Sequence, residues 1–177
     1  YKIGKKIARG GMGVVYLAEH LRLQRPVVFK VLSEHLADDS KATARFEQEA
    51  LGLSKLNHPN VVSVYDFGIE EGLTYIVMEF VPGVTLTQVL REGGVMSFER
   101  LLPVAGQIVE AIGAAHEQNI VHRDIKPANI MVVSQEGRPD LVKVLDFGLA
   151  RLTSSSLDIT KDNLVGTVSY VAPEVVK

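Results

Sequence analysis

The chain has 177 residues, of which 46% are hydrophobic and 23% charged, and its formal net charge is -2. This length fits one domain or two small lobes with a sizeable core. The near-neutral charge gives no reason to expect a nucleic-acid partner, because binding a phosphate backbone needs clustered Lys and Arg. The absence of cysteine excludes disulfides, thiolate metal sites and cysteine nucleophiles, and it is compatible with the cytoplasm. The sequence contains neither a signal peptide nor an apolar run near the roughly 18 residues of a membrane span.

The first 35 residues have the alternating, β-branched pattern of strands around a glycine-rich loop. Gly10, Gly11 and Gly13 form that loop, and glycines let a backbone approach an anion closely and present N–H groups to it. No Gly-Lys-Ser/Thr follows, which excludes a Walker A loop, and the β pattern after the loop excludes the strand-to-helix turn of a dinucleotide fold. The loop is therefore predicted to be a hairpin, either an ordinary turn or a flap over an anion.

Two charged residues lie in the elements predicted after this loop. Lys30 lies in a strand predicted over residues 27–32, and Glu49 lies at the edge of the apolar face of a helix predicted over residues 38–56. Taken alone, Lys30 fits an exposed strand lysine, and Glu49 fits a surface ion pair with Arg45. The alternative is that Glu49 points inward to the lysine.

Further strands are predicted at residues 61–64 and 75–80, and the pair Pro82-Gly83 then separates a β-rich first half from a helical second half. Thr85 is expected to cap a short helix that ends at Leu90.

A longer helix is predicted from Phe98 to about Gln118, with Ser97 as its cap. Pro103 lies inside it and is expected to kink the helix or delay its start.

A loop of charged and amide groups, HRDIKPAN at residues 122–129, lies between two short apolar segments. It offers the carboxylate of Asp124, the ammonium of Lys126 and the amide of Asn129. Reactions on a phosphate need such a set, because a hydroxyl must be oriented, charge must be offset and a hard metal ion needs oxygen ligands. Asp146 adds a second carboxylate seventeen residues after Asn129. A metal site of His116, His122 and Asp124 is an alternative, but it explains Asp124 less well.

In combination and in this order, these motifs resemble the eukaryotic-like (Hanks-type) protein kinases, most closely their bacterial serine/threonine members. The D-F-G triplet at 146–148 and the A-P-E triplet at 172–174 complete the set, so the resemblance covers the whole chain. It implies an α+β, two-lobed kinase-like fold. Residues 1–81 would form a β-rich lobe with a five-stranded sheet and one helix, and residues 82–177 a partial helical lobe with the catalytic loop, the Mg-binding loop and the activation segment.

The resemblance implies an ATP-dependent protein serine/threonine kinase of signal transduction that uses Mg²⁺, or Mn²⁺ in its place. Lys126 within H-R-D-I-K-P resembles the serine/threonine branch. The implied catalytic residues are Asp124, Lys126, Lys30 and Glu49, and the implied metal ligands are Asn129 and Asp146. The residues implied to contact the nucleotide are Ile7, Gly10, Gly11, Gly13, Val15, Val28, Lys30, Met78, Glu79, Val81 and Met131.

Arg123 beside the catalytic carboxylate resembles kinases that are switched by activation-segment phosphorylation, because a phosphate adds roughly 1.5 to 2 negative charges for an arginine to pair with. The candidate acceptors are Thr153, Ser154, Ser155, Ser156 and Thr160. Thr167 is less favoured as the switch, since it matches the threonine that contacts the catalytic loop. The resemblance further implies protein substrates, dimerisation for autophosphorylation in trans, and a cytoplasmic kinase domain of a parent that is membrane-tethered in many bacterial relatives.

The chain departs from the family pattern at Ala8, Val28 and Ala128, where glycine, alanine and glutamate are more familiar. It also stops three residues after Glu174, so the family's later helices are expected to be missing and the piece alone is expected to be unstable or inactive. The alternative functions are an ATP-binding pseudokinase or regulatory module, and a small-molecule phosphotransferase. Retention of the catalytic residues argues against the first, and the A-P-E segment argues against the second.

Overall fold

A computed structural model describes residues 1–10, 13–32, 50–70, 72–147 and 170 of the chain. The chain divides into two compact units, Tyr1–Pro82 and Gly83–Lys177. Among the described residues, no helix is both long enough and apolar enough to cross a membrane.

The first unit is built on a five-stranded antiparallel sheet with the order β1-β2-β3-β5-β4. Its strands are β1 Lys2–Gly10, β2 Gly13–His20, β3 Arg25–Leu32, β4 Val64–Glu70 and β5 Leu73–Glu79. The fourth strand begins at Val64, so the prediction of a strand from residue 61 is wrong at its start. Val61 is an isolated bridge residue, and its backbone N–H bonds to His58 O in the preceding turn. Of the helix predicted over 38–56, the described part is α1, residues 50–55.

The glycine-rich segment joins β1 and β2 as the predicted hairpin, with Gly10 paired to Gly13 across the ladder. Gly13 has φ +145°, and a Cβ added there would lie 2.0 Å from the backbone oxygen of Val31. No L side chain fits at that distance, so glycine is required here by the close approach of β2 to β3.

One face of this sheet is covered by aromatic rings. Ala18, Val27 and Val77 form a small buried cluster, against which Phe29 and Tyr75 pack. The two rings are stacked with their centroids 4.8 Å apart. Burial of this cluster leaves the opposite face of the same strands for other contacts.

The second unit combines helices with a small three-stranded sheet of order β6-β7-β8. Its elements are β6 Val84–Thr85, α2 Leu86–Gly93, α3 Phe98–Glu117, a 3₁₀ turn Pro127–Asn129, β7 Ile130–Gln135 and β8 Arg138–Val144. The predicted cap of α2 is confirmed. Gln88 N–H donates to Thr85 Oγ1 at 3.2 Å, and Thr85 N–H donates to Gln88 Oε1 at 2.9 Å, which completes a capping box.

The long helix α3 begins where its cap position predicts, but Pro103 does not delay that start. Ser97 is the residue before the helix, although its side chain makes no cap hydrogen bond. Pro103 is the sixth residue of α3, so it removes the intrahelical bond that its N–H would make to Glu99 O, and the helix nevertheless continues through it from Phe98 to Glu117. The buried face of α3 consists of Val104, Ala111 and Ala115.

Candidate active site

The loop between α3 and β7 places the predicted catalytic carboxylate between two polar partners. Asp124 Oδ2 accepts a hydrogen bond from Asn129 Nδ2 at 3.0 Å and forms an ion pair with Lys126 Nζ at 2.7 Å. The spacing of the three residues allows this, because the 3₁₀ turn from Pro127 brings Asn129 back toward the start of the loop. Asp124, Lys126 and Asn129, predicted from the motif, are therefore in direct contact.

The amide of Asn129 is buried, with 9% of its surface exposed. Its Nδ2 donates to Asp124 twice, to the backbone oxygen at 2.8 Å and to the carboxylate at 3.0 Å. Both bonds use the nitrogen, so the amide oxygen is turned away from Asp124.

The second carboxylate oxygen of Asp124, Oδ1, is buried without a hydrogen-bond donor among the described residues. A buried acceptor without a donor costs roughly 1–3 kcal/mol, so native structures keep few of them unless they have a use. Among the described residues, this oxygen is such a buried acceptor without a donor.

His122 forms the buried floor of the loop. Its Nε2 lies 2.8 Å from Leu145 O and its Nδ1 accepts from Asp124 N–H at 3.2 Å, while its ring lies 4.6 Å from that of Phe147. One nitrogen donates and the other accepts, which is the pattern of a neutral imidazole. Burial lowers the pKa of His122 below its usual value and favours the same neutral state.

Both nitrogens of His122 are thus occupied by protein groups. Among the described residues, no group of three or more His, Asp or Glu side chains is placed to hold a metal ion. The alternative metal site of His116, His122 and Asp124 is therefore wrong.

The β7–β8 hairpin brings the two predicted metal ligands to one end of the small sheet. Ile130, the residue after Asn129, pairs with Val144, and Leu145 N–H donates to Asn129 O at 2.8 Å. Asp146 follows directly, with φ +54°. A non-glycine residue in this left-handed region costs of order 1 kcal/mol or more, and such residues cluster at functional sites. The fold thus places Asn129 and Asp146 at the paired ends of two neighbouring strands.

In the first unit, several residues predicted to contact the nucleotide share one face of the sheet. Val15 pairs with Lys30, and Val28 pairs with Met78, so these four side chains lie on the same side. It is the face opposite the aromatic cluster. Lys30 is only 5% exposed, so it is not an exposed strand lysine.

Ile7 lies in β1 at a register irregularity and is half-exposed. Glu79 ends β5, where its backbone N–H donates to Ser63 O at 2.9 Å and its carboxylate accepts from Ser63 N–H at 3.2 Å. Val81 follows and is buried. Met131 lies in β7 of the second unit, paired with Thr85 and Lys143.

Of the predicted regulatory residues, only Arg123 is described. It is exposed and has φ +67°. The other predicted site residues that lie outside the described residues are Gly11, Glu49, Thr153, Ser154, Ser155, Ser156, Thr160 and Thr167.

Sequence reasoning missed one set of polar contacts between α3 and β8. Gln107 on α3 bonds to the backbone of β8, and Arg100 bonds to Asp140 of the same strand. The only signal in the sequence is position, because Gln107 stands three residues after Val104 and four before Ala111, on the buried face of the helix.

Comparison with known proteins places this geometry in a family. The family model for the protein kinase domain matches residues 1–177. The chain is 43% identical to the serine/threonine-protein kinase pkn3 of Myxococcus xanthus, over 98% of this chain and 33% of the relative. It is 42% identical to the serine/threonine-protein kinase PrkC of Bacillus subtilis, over 98% of this chain and 26% of the relative.

Among solved structures, the crystal structure of the Mycobacterium tuberculosis PknI kinase domain matches with a TM-score of 0.74 and 30% identity. That match covers 84% of this chain and 58% of the solved chain. The chain thus spans a third or less of the length of the two curated relatives and somewhat more than half of the solved domain. The predicted α+β, kinase-like fold is confirmed, and the chain belongs to the protein kinase family.

Proposed function

We propose that the protein is a serine/threonine kinase that transfers the γ-phosphate of ATP to hydroxyl groups of other proteins. The observation that carries the proposal is the state of the Asp124 carboxylate. One oxygen is fixed by Lys126 and Asn129, and the other is buried and accepts no hydrogen bond from the described residues. The names of the relatives, which are serine/threonine-protein kinases, support the same activity.

In the proposed reaction, the carboxylate of Asp124 accepts the hydrogen bond of the acceptor hydroxyl and then its proton. The hydroxyl oxygen forms a bond to the γ-phosphorus, the bond to the bridging oxygen breaks, and ADP leaves. Lys126 Nζ stands 2.7 Å from Asp124 Oδ2, and it would offset negative charge on the moving phosphoryl group. Lys30, buried on the face of the first sheet, would hold the α- and β-phosphates.

The donor set at the end of the β7–β8 hairpin fits a hard divalent cation such as Mg²⁺, or Mn²⁺. Asn129 turns its amide nitrogen to Asp124 and leaves a neutral oxygen for a ligand, and Asp146 adds a carboxylate. Mg²⁺ is commonly bound by one or two such oxygen ligands together with substrate phosphates. When bound, the ion would neutralise charge on the phosphates.

We also propose that autophosphorylation between Thr153 and Thr160 regulates the kinase. Support comes from Arg123, the exposed residue next to Asp124 in the sequence, which forms no ion pair with a described residue. A phosphorylated side chain would provide that charge. Mass spectrometry of the protein after incubation with Mg²⁺-ATP should find phosphate in this segment, and phosphate found only outside residues 146–174 would count against the regulation.

The activity is tested by incubating the purified full-length protein with ATP labelled at the γ-phosphate. The acceptors are a panel of proteins with exposed serine and threonine and a panel of metabolite alcohols, each with Mg²⁺ or with chelator. Mg²⁺-dependent label on protein serine or threonine is expected. Label confined to metabolites would indicate a small-molecule phosphotransferase, and ATP binding without any transfer would indicate a pseudokinase.

A further inference from the structure

A set of polar contacts ties α3 to β8, and we call it the α3–β8 clamp. Gln107 Nε2 donates to Asp140 O at 2.8 Å, and Val142 N–H donates to Gln107 Oε1 at 2.9 Å. Beside them, Arg100 Nε bonds to Asp140 Oδ2 at 2.7 Å, and Ser134 Oγ bonds to Asp140 Oδ1 at 2.9 Å. The clamp therefore joins one helix to both strands of the hairpin.

Gln107 makes the two backbone hydrogen bonds to β8 that a neighbouring strand would make. β8 is the edge of the three-stranded sheet, so none of the described strands pairs with its outer backbone groups. Gln107 donates to the oxygen before Leu141 and accepts from the nitrogen after it. A residue on a parallel neighbouring strand makes these same two bonds. The side-chain amide thus completes the edge of the sheet in place of a backbone.

The contact lies in the buried part of the unit. Val142 has no exposed surface, and Gln107 stands between Val104 and Ala111 on the buried face of α3. A polar side chain at such a position is unfavourable unless it is hydrogen-bonded, and both functional ends of this amide are bonded. An apolar side chain of the same size would fill the space but would offer β8 neither bond.

The two elements joined by the clamp lead to different parts of the proposed active site. The end of α3 runs into the loop that carries Asp124, and the end of β8 runs into Asp146. Near the site itself, His122 Nε2 on Leu145 O provides a second tie between the same two routes. The segment from α3 to Asp124 and the segment from β8 to Asp146 are therefore joined at two places, by the clamp and by the His122 bond.

From this arrangement we propose that Gln107 is a positioning residue for the metal-binding end of the β7–β8 hairpin. By fixing β8 to α3, it sets where Asp146 and Asn129 stand relative to Asp124. The proposal rests on the proposed kinase function, since that function gives these residues their roles. Its expected signature is weaker use of Mg²⁺ together with faster exchange of the Leu145 N–H, which bonds to Asn129 O.

The test compares three variants of the full-length protein with the wild type. Gln107→Met keeps the length of the side chain and removes both hydrogen bonds. Val104→Ala is the matched core control, because it destabilises the same face of α3 without touching a polar contact. Glu110→Met is the surface control, three residues along the same helix at an exposed position.

Two quantities are measured for each variant. The first is the free Mg²⁺ concentration that gives half-maximal phosphotransfer at saturating ATP. Gln107→Met should raise it about tenfold, the lower end of the range seen when residues supporting metal ligands are removed. The second is the exchange rate of the Leu145 N–H, which bonds to Asn129 O, measured without nucleotide or metal. It should rise about tenfold, as expected when a nearby buried polar group loses its partner.

The proposal would be overturned if Val104→Ala, compared at equal global stability, changed the Mg²⁺ requirement and the exchange rate as much as Gln107→Met does. A change of either quantity in Glu110→Met, or no change in Gln107→Met, would overturn it as well. If Gln107→Met does not fold, Gln107→Glu decides by the same criteria, because it keeps the acceptor for Val142 N–H and loses the donor to Asp140 O. A wild-type protein without phosphotransfer would refute the proposed function instead. In that case the exchange rates still test the clamp.

Discussion

The requirement for glycine at position 13 makes a sharp prediction about the first sheet. Gly13→Ala places a methyl group 2.0 Å from Val31 O on the neighbouring strand and keeps a backbone φ of +145°. Real Cβ atoms essentially never approach closer than 3.0 Å. The two strands must therefore separate by about 1 Å at this point, or the end of β2 must leave the sheet.

The chain contains a control that separates the steric clash from the cost of the positive φ. Gly72 also has a positive φ, +77°, but a Cβ added there meets nothing within 4 Å. Gly72→Ala should cost only the left-handed conformation, roughly 1–2 kcal/mol. Gly13→Ala carries at least that conformational cost, because φ +145° lies outside the left-handed region that L residues adopt, and in addition it disturbs the ladder hydrogen bonds between β2 and β3. Each such bond lost with its partners buried adds roughly 1–3 kcal/mol.

The assay is amide hydrogen exchange of the β2 and β3 residues, which reports the stability of this sheet separately from the rest of the protein. Gly13→Ala should lower the free energy of opening of these strands by at least about 2 kcal/mol more than Gly72→Ala does. Equal protection of the two strands in both variants would refute the close approach of Gly13 to Val31.

Two further predictions concern the second unit. His122→Gln keeps a donor for Leu145 O but removes the titrating ring. Burial lowers the pKa of His122 below 6.5 in the folded state, so the unfolded chain takes up the proton first and the wild type loses stability as pH falls below about 6.5. In urea unfolding, the variant should lose less stability than the wild type between pH 7.5 and 5.5. An identical loss in both proteins would contradict a neutral buried imidazole. Thr85→Ala should destabilise the start of α2 by about 1 kcal/mol, which is measured as faster exchange of the Gln88 N–H. The control Thr87→Ala, at an exposed position of the same helix, should leave that exchange rate unchanged. Equal exchange rates in the two variants would show that the capping box does not stabilise the helix.

Local features of the fold were predictable because the residues that decide them are close in sequence. The hairpin at Gly10 and Gly13 follows from glycines between two alternating segments, and the cap at Thr85 follows from one side chain and the helix after it. The loop around Asp124 is similar, because Asp124 and Asn129 are only five residues apart and a proline stiffens the loop between them.

Features that depend on a distant partner were not predictable from pattern alone. Taken by itself, the strand around Lys30 fitted an exposed lysine, and its burial follows from neighbouring strands on both sides. Pro103 lies at the sixth position of α3 without delaying the start of the helix, which its own neighbourhood in the sequence does not reveal. Gln107 gave no signal of function, because its partner strand lies more than thirty residues away in the sequence.

The central claim is that the chain carries the catalytic carboxylate of a serine/threonine kinase, and Asp124→Asn tests it most directly. The variant is compared with the wild type and with Glu117→Gln, an exposed acid at the end of α3, by measuring ATP affinity and the rate of γ-phosphate transfer to protein serine and threonine. The account predicts that Asp124→Asn retains ATP binding and loses about 10²- to 10⁴-fold in rate, the usual contribution of a positioned general base, while Glu117→Gln stays at the wild-type rate. Wild-type transfer by Asp124→Asn would contradict the account.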